Sequence, residues 1–145
     1  MTAMLRLVVI WLHVVAAAAW IGGLLHTMHV IAPAAARGGR ESLELLGRGR
    51  AMTWGALAIL VLTGLENLRT VGLASPWLAA KLIAVIALLA LAAHRDFAVL
   101  PRATRAVTEG APPAAALSGV RALDRVLLLL ALGAVFLAVG VARGR

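Results

Sequence analysis

The sequence predicts an all-α integral membrane protein, a bundle of four spanning helices. Three observations predict it. First, 63% of the 145 residues are hydrophobic and the mean hydropathy is +0.99, more apolar surface than a soluble domain of this size keeps out of water. Second, four apolar runs are each long enough to cross about 30 Å of hydrocarbon as a helix, which takes roughly 20 residues. Third, the net charge of +8 is carried almost wholly by arginine, with Lys81 the one lysine, and the arginines stand at the ends of the apolar runs. That is how membrane proteins set their orientation. The expected partner is therefore the lipid bilayer, and nucleic acid is excluded. The absence of cysteine excludes disulfides, iron–sulfur clusters and thiolate metal sites. The length allows one domain, residues 1–145.

Helix 1 is expected over about 5–31, ending before Pro33. It is too long for the apolar region of a signal peptide, and it holds three histidines and two tryptophans, so it reads as a retained helix. Helix 2 is expected over about 51–73. Helix 3 starts at Pro76, a favoured first-turn residue, and runs to about residue 100, before Pro101. Helix 4 covers about 118–142, and its stretch from Val126 to Ala142 has no polar side chain. It reads as packing, with Gly133 and Gly140 placed to let a neighbour approach closely. No internal repeat stands out.

The connections between helices 1 and 2 and between helices 3 and 4 hold Arg37, Arg40, Arg48, Arg50, Arg95, Arg102, Arg105, Arg121 and Arg125. The other side holds Arg6, Arg69, Arg143 and Arg145. This bias predicts both termini outside the plasma membrane of a bacterium and both longer connections in the cytoplasm. GGRES (38–42) and EGAPP (109–113) supply the turns, and the segments around them extend helices 1–3 on the cytoplasmic side.

Ionisable groups in a spanning helix are costly and mark candidate sites. At a rise of about 1.5 Å per residue, they fall into two layers. His13, Glu66, Asn67 and Lys81 form an outer layer, roughly 7–9 Å from the midplane. His26, His29 and His94, with Arg95 beside them, form an inner layer roughly 11–13 Å on the other side. Neutral imidazole ligates haem iron, copper and zinc. Two histidines from facing helices suit haem b, whose propionates would meet Arg95 or Arg102. His26, Met28 and His29 suit copper instead, although on an ideal helix they point in three directions.

One geometric constraint applies. His13 to His26 is 13 residues, as is Lys81 to His94, a net rotation of about 220°. If His13 and Lys81 face each other, His26 and His94 point away from each other. One layer then uses another groove, or an interface in a homodimer. Trp20, seven residues after His13, shares its face.

His13 with Trp20-Ile-Gly-Gly23, Trp77-Leu-Ala-Ala-Lys81-Leu, and His94 within HRDFAVLPRATR resemble the CopD/HemJ-like superfamily of four-helix membrane proteins, over helices 1 to 3. The resemblance implies a haem-binding or catalytic role for His13 and Lys81, and places His94 close to a family histidine. The run Ala16 to Ala19 departs from the aromatic-rich HemJ pattern, and CopD proteins are often larger than this chain. The expected function is membrane-embedded haem b binding with a redox or electron-transfer role. The alternatives are copper transport or resistance, and a HemJ-like protoporphyrinogen oxidase. The expected cofactor and metal residues are His13, His26, His29, His94, Lys81, Trp20, Arg95 and Met28. The redox partner is not named by the sequence.

Overall fold

The computed structural model describes residues 3–71 and 76–143, with side chains of 69–71 left out. The expected end of helix 2 near Leu73, and the charges of Arg69 and Arg145, lie outside the described residues. The described chain is helical throughout, apart from its turns. It forms four runs long and apolar enough to cross a membrane.

The first run is α1 (Ala3–His26), a π-turn (Thr27–Ile31) and α2 (Ala32–Ala36). The second is α3 (Arg40–Val71). The third is α4 (Pro76–His94), a second π-turn (Arg95–Val99) and α5 (Leu100–Thr108). The fourth is α6 (Pro113–Ala116) followed by α7 (Ser118–Arg143). Helices 2 and 3 extend well past the apolar runs at the arginine-rich end, as the flanking segments predicted.

Proline causes the π-turns. Pro33 and Pro101 lack an N–H and crowd the carbonyl four residues back. Each helix answers by widening the turn just before the proline. Ala32 N–H bonds to the Thr27 carbonyl and Leu100 N–H to that of Arg95, five residues back instead of four.

Both turns at this end use glycine in the left-handed region, Gly38 at φ 92° and Gly110 at φ 98°. Gly38 N–H reaches the Ala35 carbonyl and Gly39 N–H reaches that of Ala34, at 3.0 and 3.2 Å. Gly110 to Val107 and Ala111 to Ala106 repeat the pattern at 3.1 and 2.9 Å. These are Schellman closures.

That recurrence extends further, and corrects the reading that no repeat is present. The two π-turns are 68 positions apart (27 to 95, 31 to 99). The same offset relates His13 to Lys81, His26 to His94, Pro33 to Pro101 and Arg37 to Arg105. It also relates the buried pairs Trp20 and Leu88, Ala32 and Leu100, and Ala35 and Ala103. In the second arms an offset of 74 positions relates the buried Leu46 to Val120 and Leu57 to Ala131. The fold is thus two similar hairpins. The first hairpin packs α1 on α3, the second packs α4 on α7, and α1 meets α7 between them. The repeat hides in sequence because core packing fixes polarity and size at few positions and leaves the rest free to differ.

The core has two apolar clusters. Trp20, Leu57, Leu88, Ala92, Leu127 and Ala131 fill the middle of the bundle. Ala35, Leu46, Leu100, Ala103, Leu117 and Val120 fill the arginine-rich end. The outer surface is apolar. Leu62, Ile83, Ile86, Leu129 and Phe136 are each 67–69% exposed, an apolar outer face on helices long and apolar enough to cross a membrane.

Candidate functional site

In the outer layer, the half-buried His13 places Nδ1 2.8 Å from Thr63 Oγ1. Thr63 donates its single hydroxyl proton to the Ile59 carbonyl at 2.6 Å, so its oxygen accepts from the imidazole. This network assigns the ring proton to Nδ1 and leaves the Nε2 lone pair unspent. A second-shell acceptor that fixes the tautomer and ring angle is the usual support of a metal-ligating histidine. Gly64 lies under the ring, where a Cβ would stand 3.5 Å from Cε1. Lys81 of α4 is within electrostatic reach of the His13 ring. Trp20 is 6% exposed and belongs to the mid-bundle core.

The inner layer is arranged differently. His26 and His94 are both exposed, each just before its π-turn. With His13 turned inward, the rotation of about 220° along each helix requires this. His29 is also exposed, and its Nδ1 donates to the Leu25 carbonyl at 2.9 Å. Met28 is half-buried within the π-turn. Among the described residues, no three His, Asp or Glu side chains converge as a metal site.

What turns inward here is Arg95, between the two apolar clusters. Its Nε lies 2.8 Å from Asp124 Oδ1 and its Nη2 3.3 Å from Oδ2. Its Nη1 lies 2.7 Å from Asp96 Oδ1. Asp96 Oδ2 accepts the Trp54 indole N–H at 3.0 Å, and Arg50 donates to the Asp96 backbone carbonyl at 3.5 Å. Asp96 and Asp124 are 1% and 0% exposed. Charges so deeply buried persist only when paired and hydrogen-bonded. Among the described residues, no buried side-chain nitrogen or oxygen lacks a partner.

Helix 4 reads as packing over its polar-free stretch, yet just before that stretch Asp124 stands at the core face. Asp124 looks like a loop charge, with Arg121 and Arg125 on either side and the polar-free stretch beginning at Val126. Its signal was helical spacing. It lies one turn after Val120 and three residues before Leu127, both buried. Thr63, Trp54, Arg50 and Asp96 were missed too. Threonine costs a membrane helix little, because its hydroxyl bonds the preceding turn.

A cavity of about 160 Å³ adjoins this network. Arg95, Asp96 and Asp124 form part of its lining, with His26, Thr27 and Thr53. Trp20, Leu24, Ala92 and Leu127 supply apolar wall. An engineered cavity of about 150 Å³ holds one benzene. A tetrapyrrole therefore does not fit in this space.

No known protein family, no curated protein and no solved structure matches the chain. The function rests on this geometry.

Proposed function

We propose that the chain is a haem-b-binding protein of a bacterial plasma membrane, with both termini outside, working in electron transfer or haem-linked redox chemistry. The observation that supports this most is the Thr63-anchored His13, whose Nε2 is free to ligate iron. The donor set of the outer layer fits the group. His13 would hold the iron, and Lys81 is the cation of the same layer with which a propionate pairs. Haem supplies a one-electron couple whose potential follows axial ligation and burial. The protein's part is to fix the imidazole through Thr63 and to keep water away with the apolar middle of the bundle. The resemblance of His13 and Lys81 to the CopD/HemJ-like pattern supports the same choice.

The test is an absorption spectrum of protein purified from haem-replete cells, oxidised and then reduced. A Soret band at about one haem per chain is expected, lost in His13→Ala and shifted on reduction in Thr63→Val. No stoichiometric band overturns the proposal. A band lost in His26→Ala or His94→Ala, and kept in His13→Ala, moves the ligand to the inner layer. The π-turn distortion of Thr27–Ile31 favours copper(I) at His26, Met28 and His29 as the competing reading. A copper(I) titration that responds to all three, in protein without a Soret band, decides for it.

A further inference from the structure

The cavity beside Arg95 lies where the two hairpins meet. Three pairs of equivalent positions line it: Leu24 with Ala92, Thr27 with Arg95, and Thr53 with Leu127. The interface between repeats is where membrane proteins built of parallel or inverted repeats place their ligands.

Its surfaces specify a ligand class. Toward the bundle it ends in mixed donors and acceptors. Arg95 uses three of its five guanidinium N–H groups on Asp96 and Asp124. The Thr27 and Thr53 hydroxyls line the space, and neither makes a hydrogen bond among the described residues. Toward the outside it opens between exposed side chains, His26, the 48%-exposed Leu45 and the 66%-exposed Met52. His26 and Met52 belong to the apolar stretches of their helices, while Leu45 stands in the charged extension between Arg40 and Arg50.

Charge narrows the class. Arg50 and Arg95 balance Asp96 and Asp124, so the network has no net charge to offer an ion. A carboxylate meets the two aspartates and an amine meets the two guanidiniums, each at a cost in low dielectric. A neutral head that both accepts and donates hydrogen bonds meets neither penalty. Volume narrows it further, to one six-membered ring. At Met52, where the apolar run of the second helix begins, the mouth gives a molecule dissolved in lipid a way to the site.

We propose that this cavity binds the ring of a neutral, lipid-soluble dione or its dihydroxy form, a quinone-type carrier, with its oxygens on Thr27, Thr53 and Arg95 and its tail leaving past Met52 into the bilayer. Binding stands on the cavity alone. Its part as redox partner of the chain rests on the haem reading.

The experiment uses the full chain in lipid nanodiscs, with tritiated decylubiquinone as probe in equilibrium dialysis, and empty nanodiscs to subtract partition into lipid. Saturable uptake near one per chain is expected. Ala56→Leu fills the cavity without touching the ionic network, and lowers affinity at least tenfold while thermal unfolding stays unchanged. Thr53→Val, which keeps volume and removes the hydroxyl, lowers it severalfold. Uptake equal to that of empty nanodiscs overturns the proposal, as does saturable uptake that Ala56→Leu and Thr53→Val both leave intact. Saturable, cavity-dependent uptake in protein without a Soret band keeps this site and overturns the haem reading. A Soret band without such uptake does the reverse.

Discussion

The two hairpins share a backbone plan and differ in polar chemistry. Each has a first arm with a proline-driven π-turn, a left-handed glycine after it and a long second arm. In the first hairpin the inter-arm polar contact is neutral and stands in the outer half, His13 to Thr63. In the second it is ionic and stands in the inner half, Arg95 to Asp124. The equivalents do not match. Lys81 takes the place of His13, Thr27 that of Arg95, and Arg50, by the second-arm offset, that of Asp124. Two similar hairpins thus hold one neutral imidazole contact and one charged contact. The first leaves a lone pair for a ligand. The second spends its charges on itself and holds the hairpin and the cavity wall in place.

The comparison breaks most clearly at the ionic contact. Asp124→Ala leaves the Arg95 guanidinium buried with only Asp96 beside it. Removing one partner of a buried pair costs about 3–5 kcal/mol, so thermal or denaturant unfolding in detergent should show a loss of that order. The double variant Arg95→Met with Asp124→Leu should recover most of it, because apolar replacement removes the desolvation cost along with the attraction. An Asp124→Ala protein as stable as wild type removes the claim that this contact holds the second hairpin.

The second-largest effect is expected at Gly140. A Cβ there would stand 2.6 Å from Trp77 Cε3 and 2.7 Å from Cδ2. Overpacking of this kind costs about 1–3 kcal/mol. Trp77 is 44% exposed, so the ring can swing outward and the lower part of that range is expected for Gly140→Ala. The combination with Trp77→Leu should relieve it. Equal destabilisation with and without Trp77 would mean that α4 and α7 do not meet there as described.

How far the sequence carries can be argued from these same residues. The four helices were legible because apolar length is a composition signal that needs no partner. The turns were legible because glycine and proline act locally. Depth left a trace too, since Lys81 falls within electrostatic reach of His13. What did not show was which face each polar residue takes once a helix changes its turn. Arg95 sits one residue after His94 and was read with it as one inner-layer ligand site, yet the structure buries Arg95 and leaves His94 exposed. Asp124 was invisible for a related reason. Its meaning depends on Arg95, 29 positions away, and a pairing across helices leaves no trace in either segment alone.

A smaller effect tests the neutral contact. Thr63→Val keeps the side-chain volume and removes the acceptor of the His13 proton. A hydrogen bond of this kind contributes about 0.5–1.5 kcal/mol net, so unfolding should weaken by that amount and no more. Its spectral consequence should exceed its stability consequence, because the lost acceptor frees the imidazole to rotate or to change tautomer. Trp54→Phe, in the same helix, is the matched control at the ionic network of the other hairpin. It removes a donor to Asp96 at similar cost in stability and should leave the haem spectrum where it was. If both variants move the spectrum equally, the outer and inner layers are one coupled network and the division between the hairpins fails.

The smallest effect has the opposite sign. Gly133 and Gly140 are seven residues apart in α7 and were read alike as close-approach positions. Only Gly140 meets a neighbour. A Cβ at Gly133 finds nothing within 4 Å, and the residue is exposed. Glycine inside a helix is destabilising relative to alanine by roughly 0.5–1 kcal/mol, through the backbone freedom it loses on folding. Gly133→Ala should therefore stabilise the isolated chain by a few tenths of a kcal/mol up to about that amount. Its worth lies in where it is measured. If α7 presents this exposed face to lipid, the gain should not depend on protein concentration in detergent. If a second copy packs closely at Gly133, between the exposed Leu129 and Phe136, the added methyl weakens that contact. The gain then turns into a loss as dilution or crosslinking reports the dimer, which separates a monomeric two-hairpin bundle from one that completes itself with its own copy.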